Sequence, residues 1–136
     1  MKRLRIIITA LFLMTGILTI KAQEQEVQPV YFINVLVDAD HNIYVQEKKI
    51  SFDEVTKEVR SIVYNISASK YQGVVYRIYG DASLKMGNII DLGAELIRGY
   101  DPIKVERYLL NLQENEINGS NYIKKLERLD LKAIDP

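Results

Sequence analysis

The sequence predicts an α+β fold, a two-layer sandwich with about two helices packed on one face of a four- to five-stranded sheet. Two observations predict it. Short runs rich in Val, Ile, Tyr and Phe recur at Val30–Val37, Val74–Tyr79 and Val105–Leu112, as sheet strands require. Between them lie two longer stretches whose apolar residues fall at helical spacing, so strands and helices alternate along the chain.

Each element has a local reason. In Val30–Val37 alternation puts Tyr31, Ile33, Val35 and Val37 on one face. Asp38 to Asn42 breaks that pattern as a hairpin connection does, and Ile43-Tyr44-Val45 returns. The charged Gln46 to Lys49 reads as a second turn. Ser51-Phe52-Asp53-Glu54 is a capping-box pattern, with Ile50 placed to pack over the first turn. Val55, Val59, Ile62, Val63 and Ile66 then form an apolar stripe, predicting a helix over about 52–66. After a loop from Ser67 to Gly73, the short Val74–Tyr79 run reads as a central strand. A second helix over about 85–98 is expected to bury Ile89, Leu92, Leu96 and Ile97 and to stop at Gly99. Gly87 in its first turn costs about 1 kcal/mol against Ala, which points to close approach by the sheet or by a second protomer. Val105–Leu112 is the last strand. In the tail, Ser120 is placed to cap a helix with Tyr122, Ile123, Leu126 and Leu129 on a loose apolar face, packing on the domain or binding a partner.

Lys2, Arg3 and Arg5 precede an uncharged 15-residue run, Ile6 to Ile20. At about 1.5 Å per residue it spans roughly 22 Å, short of a hydrocarbon core of ~30 Å. A cleaved export signal, residues 1–22 with Ala22 last, is the better reading. The alternative is an uncleaved signal anchor, favoured by the bulk of Ile20. The organisation that follows is a leader at 23–29, a domain at 30–112 and a tail at 113–136. Removing residues 1–22 takes away four positive charges and no negative ones, moving the formal balance from zero to −4. No basic stripe interleaved with aromatics invites nucleic acid. With no cysteine, an exported domain here relies on its core alone.

Candidate chemistry is sparse. Asp38-x-Asp40-x-Asn42 has the alternating oxygens of a calcium loop, but Ile43 and Lys49 stand where that loop needs Gly and an acid. His41, the only histidine, reads as a solvated turn residue with no nucleophile in view. Asp81, at a strand end, is expected to satisfy N–H groups of the next turn. Asp91, Glu95 and Arg98 fit ordinary helix-surface pairing. Nine tyrosines and no tryptophan suit an interface wet on one side, with Tyr71, Tyr76, Tyr79, Tyr100 and Tyr108 on or beside the sheet. No catalytic residue, metal ligand or cofactor is assigned, and the chain reads as a non-enzyme.

From Pro29-Val30-Tyr31, through the Asp38–Asn42 turn and Ile43-Tyr44-Val45, to a strand ending at Tyr79-Gly80-Asp81, the order of elements is distinctive. Met86-Gly87-Asn88-Ile89-Ile90 then opens a helix that Leu92 and Leu96 continue and Gly99 closes. Over about Pro29 to Leu112 the chain resembles the periplasmic domain of the ExbD/TolR family, small partners of ExbB/TolQ proton-driven motors. The resemblance implies a strand-end turn built on Gly80, Asp81 and Gly87, a homodimer, an ExbB/TolQ-like or other envelope partner, and a role in biopolymer transport. It implies a periplasmic location, or an inner-membrane anchor with a periplasmic domain if the N-terminal segment is uncleaved. One departure matters: Ile6 to Ile20 lacks the Asp that proton-translocating members carry in their membrane helix. The alternative is a free soluble periplasmic binding protein without a motor partner. Tyr108, Leu110 and Leu112 alternate on the last strand, a sheet edge, and are the expected dimer contacts.

Overall fold

The computed structural model describes residues 27–134. Residues 1–22, expected to be an export signal, and the first part of the expected leader lie outside them. Five strands form one mixed sheet, β1 (Tyr31–Val37), β2 (Ile43–Val45), β3 (Lys48–Ile50), β4 (Val74–Asp81) and β5 (Lys104–Leu110), in the order β3-β2-β1-β4-β5. β1, β4 and β5 run parallel, and β2 and β3 complete an antiparallel meander on the other side. Helices α1 (Val55–Asn65) and α2 (Met86–Gly99) make the crossovers, and their apolar residues join one face of the sheet. The α+β architecture is the expected one. β3 is an addition: only Gln46 and Glu47 turn the chain, with Gln46 at φ 54°, and Lys48 and Lys49 are already paired to β2.

Ile33, Val35 and Val37 from β1, Tyr76 and Ile78 from β4, Val55 and Val59 from α1, and Ile89, Leu92 and Leu96 from α2 form the main core. Ile97 departs from expectation: it lies on the exposed side of α2. Gly99 ends α2 without left-handed geometry; its role is closeness, since a Cβ there would sit 2.8 Å from Val59. A single turn of 3-10 helix, Phe52–Glu54, precedes α1, and the Glu54 carboxylate accepts the Ser51 N–H at 3.1 Å. Glu95 is no idle surface acid: its oxygens receive the Thr56 hydroxyl (2.9 Å) and Arg98 (2.8 Å), tying α2 to α1. Ser51→Ala, which removes the hydroxyl half of the capping box and leaves the Glu54 half, is expected to cost about 0.5–2 kcal/mol in urea unfolding, against about 0.5 kcal/mol or less for Asp91→Ala. Equal costs would mean the start of α1 needs no cap.

The second face of the sheet is covered as well. Leu36 and Tyr79 meet Leu112, Ile117, Tyr122 and Leu126 in a separate buried cluster. Residues 111–134 thus form a strap, with one short helix α3 (Tyr122–Leu126) preceded by Asn121 in place of the expected Ser120 cap. The Tyr122 hydroxyl donates to the Asn34 carbonyl at 2.9 Å and also contacts the Gln46 carbonyl. Gly119 lies flat on the Tyr44 ring, where a Cβ has no room. The domain accordingly extends well beyond the boundary expected at 112.

Candidate functional site

The sheet has two outer strands, and the longer is β5, seven residues. Parallel pairing uses the backbone of alternate residues. The Leu110 carbonyl accepts the Ala82 N–H at 2.8 Å, so even-numbered residues of β5 turn their polar groups toward β4. Val105, Arg107 and Leu109 consequently turn theirs outward. One outward group is engaged: the Arg107 carbonyl accepts the Ile134 N–H at 2.7 Å. The Arg107 side chain lies over Gly93 of α2, and its buried Nε has no hydrogen-bond partner among the described residues.

The expected contact residues divide here. Tyr108, Leu110 and Leu112 do share one face, but that face belongs to the strap-covered cluster, not to the edge itself. Leu112 lies beyond β5 and is 4% exposed, so a lysine there would bury a charge and would not report on an interface. Tyr108 and Leu110 are half-buried. Tyr108 stacks on Tyr79 with centroids 5.1 Å apart, and its hydroxyl donates to Glu106 at 2.7 Å. Burial and the adjoining Glu106 push the Tyr108 hydroxyl up to about 12. Burial alone would raise the Glu106 carboxyl, yet hydrogen bonds from Tyr108, Lys104 and Arg77 hold it below the usual range. Arg77 donates to Glu106 at 3.1 Å while its guanidinium lies 3.6 Å from the Phe32 ring centre. Beside this network a groove of about 390 Å³ opens between α3 and the sheet, lined by Phe32, Asn34, Arg77 and Tyr79 among others.

The strand-end turn is structural. Asp81 Oδ1 accepts the Ser83 N–H (2.9 Å) and hydroxyl (2.6 Å), and Oδ2 accepts the buried Leu112 N–H (3.2 Å). Burial would raise its pKa, but these three bonds outweigh it and hold the carboxyl below its ordinary value. Gly80 is the point of close approach: a Cβ there would sit 2.6 Å from Ile89. Gly87, expected to serve that purpose, faces open space within this chain.

Two other candidates resolve simply. Asp38 Oδ1 accepts the Asp40 and Asn42 N–H groups (3.0 and 2.8 Å), and Oδ2 accepts the Asn42 side chain (2.9 Å), so the acid is consumed by its turn. Among the described residues no group of three His, Cys, Asp or Glu is placed to hold a metal. His41, at φ 64°, shares with Asn88, Asp91 and Phe52 a cleft of about 180 Å³ near the end of β1. Sequence spacing held no trace of that meeting, because it is the sheet that brings a hairpin turn to the start of α2. No nucleophile with an oriented base stands in the cleft, among the described residues, to give it chemistry. Neither family models nor curated proteins match this chain. Among the described residues no helix is long and apolar enough to cross a membrane.

Proposed function

We propose that this chain is a non-enzymatic interaction module of the cell envelope, resembling the periplasmic domain of ExbD/TolR, that docks through the outer edge of β5 as a homodimer and engages transport machinery. The observation that carries the proposal is the edge strand: a seven-residue outer strand with Val105, Arg107 and Leu109 presenting backbone donors and acceptors away from the sheet. A two-fold antiparallel register centred on Tyr108 places Arg107 opposite Leu109 of a second copy and pairs the two Tyr108 rings. Centring on Arg107 would instead oppose two guanidiniums. Periplasmic export and an ExbB/TolQ-like partner belong to the same proposal, supported by the N-terminal charge and apolar pattern and by the order of elements.

Arg107→Pro tests the edge. It removes an outward N–H while leaving the β4 ladder intact, and by symmetry removes two bonds from the dimer. Self-association in sedimentation should weaken about tenfold or more, with circular dichroism unchanged. A wild type that is monomeric at every concentration up to the millimolar range would defeat the dimer. The alternative, a soluble periplasmic binding protein, is favoured by the Arg77 groove on the second face. Release of the chain beginning at Gln23 into the periplasmic fraction, with no membrane-retained form, would support it over an anchored motor subunit.

A further inference from the structure

The strap that covers the second face does not end there. After Leu126, buried at 5% exposure, the chain runs without helix or strand through Leu131, which packs on the Leu36–Tyr79 cluster, to Ile134 on the outer edge of β5. Its one backbone bond to that edge is the Ile134 N–H donating to the Arg107 carbonyl at 2.7 Å. Arg107 is the middle residue of β5. In the register centred on Tyr108, the same carbonyl receives the Leu109 N–H of the second copy.

We propose that the C-terminal segment is a tethered latch that competes with a second copy of this chain for the β5 edge, so that the protein limits its own association until the latch is displaced. The inference rests on the edge reading above. The two halves of the strap are suited to different tasks. Tyr122, with no exposed surface and its hydroxyl on the Asn34 and Gln46 carbonyls, fixes the start of the segment to the sheet. Beyond the turn at 127–129, which bonds only back to α3, the segment is held by the half-buried Leu131 and Ile134 and one backbone hydrogen bond to the sheet, while Leu129 is 41% exposed. A firmly rooted base keeps the latch at high effective concentration over the edge. Its weak outer grip lets a partner strand, which offers several backbone bonds at once, displace it. An otherwise open outer strand is thereby blunted against indiscriminate pairing.

Ile134→Pro tests this in the full exported chain, because it deletes the donor and alters nothing in β5. Each protomer carries one latch and a dimer forms only when both are released. The variant should therefore associate at a concentration on the order of tenfold lower than wild type, and Ile134→Ala, which keeps the N–H, should not. In wild type, hydrogen exchange at the Ile134 amide should be slower than at Lys132 and Ala133. Equal association of wild type and Ile134→Pro, with Arg107→Pro weakened, overturns the gate and leaves the edge reading standing. Exchange at Ile134 as fast as at Lys132 overturns the latch outright. Monomers throughout, for wild type and Ile134→Pro alike, remove the edge reading and the gate with it.

Discussion

Tyr122→Ala is expected to cost about 3–5 kcal/mol of folding stability and to lower Tm on the order of 15 °C. Tyr122 has no exposed surface, lies edge-on to Tyr79 with centroids 6.2 Å apart, and anchors the strap through two backbone carbonyls. Truncation removes the ring from the centre of the second cluster and takes the hydroxyl from the Gln46 carbonyl, while the Asn34 carbonyl keeps the Gln46 N–H at 2.8 Å. Tyr122→Phe separates the two effects. It keeps the ring and should cost about 1–2 kcal/mol. Urea unfolding of both variants measures the difference. A Tyr122→Ala cost below about 1 kcal/mol would mean that the strap is peripheral, and that the domain ends near Leu112 as the sequence pattern implies.

That boundary was hard to read for a physical reason. β1, α1, β4 and α2 each carry a sustained period of two or 3.6 residues, closed by turn residues, because each faces one continuous core. Leu112, Ile117, Tyr122 and Leu126 are spaced by five, five and four residues, and no local period connects them. They are apolar because the second face of the sheet must be covered. The sign of that need lay in β4, whose Val75 and Tyr79 are apolar on the side away from the helices. β3 escaped for a similar reason, since Lys48-Lys49-Ile50 is too short to show alternation and its two lysines are exposed.

The candidate interface was half legible. Side-chain alternation placed Tyr108, Leu110 and Leu112 together on one face, and they are together, in the strap-covered cluster. An edge, however, is a property of the backbone. It is set by the position of β5 at the end of the strand order, and alternation of side chains does not report it. The strand-end turn was more legible because Asp after a strand has few options: its short carboxylate reaches the N–H two residues on, as Asp81 reaches Ser83. The long-range bond from Leu112, 31 residues away in sequence, had no local signal.

Asp81→Asn draws on that bond and carries the second large effect. Replacing the carboxylate by an amide of the same shape turns one acceptor into a donor. Either orientation of the amide then sets an NH2 group against the Ser83 donors or against the buried Leu112 N–H. The expected cost is about 2–3 kcal/mol, the range for losing a charged hydrogen bond and stranding a buried donor. Ser83→Ala should cost less, because the Ser83 and Leu112 backbone bonds survive it. The effect has a pH signature. The folded Asp81 carboxyl titrates below its ordinary value, so the unfolded chain binds this proton more readily than the folded one. Its stabilisation is therefore fully present above the unfolded pKa of about 3.9 and is lost as pH falls through the lower folded value. The stability gap between wild type and Asp81→Asn should be constant above about pH 5 and narrow steadily below about pH 4. Urea unfolding from pH 7 down to pH 3 measures it. A gap that stays the same size across that range would mean that the Asp81 charge does not hold the strap, and that the Leu112 N–H is satisfied another way.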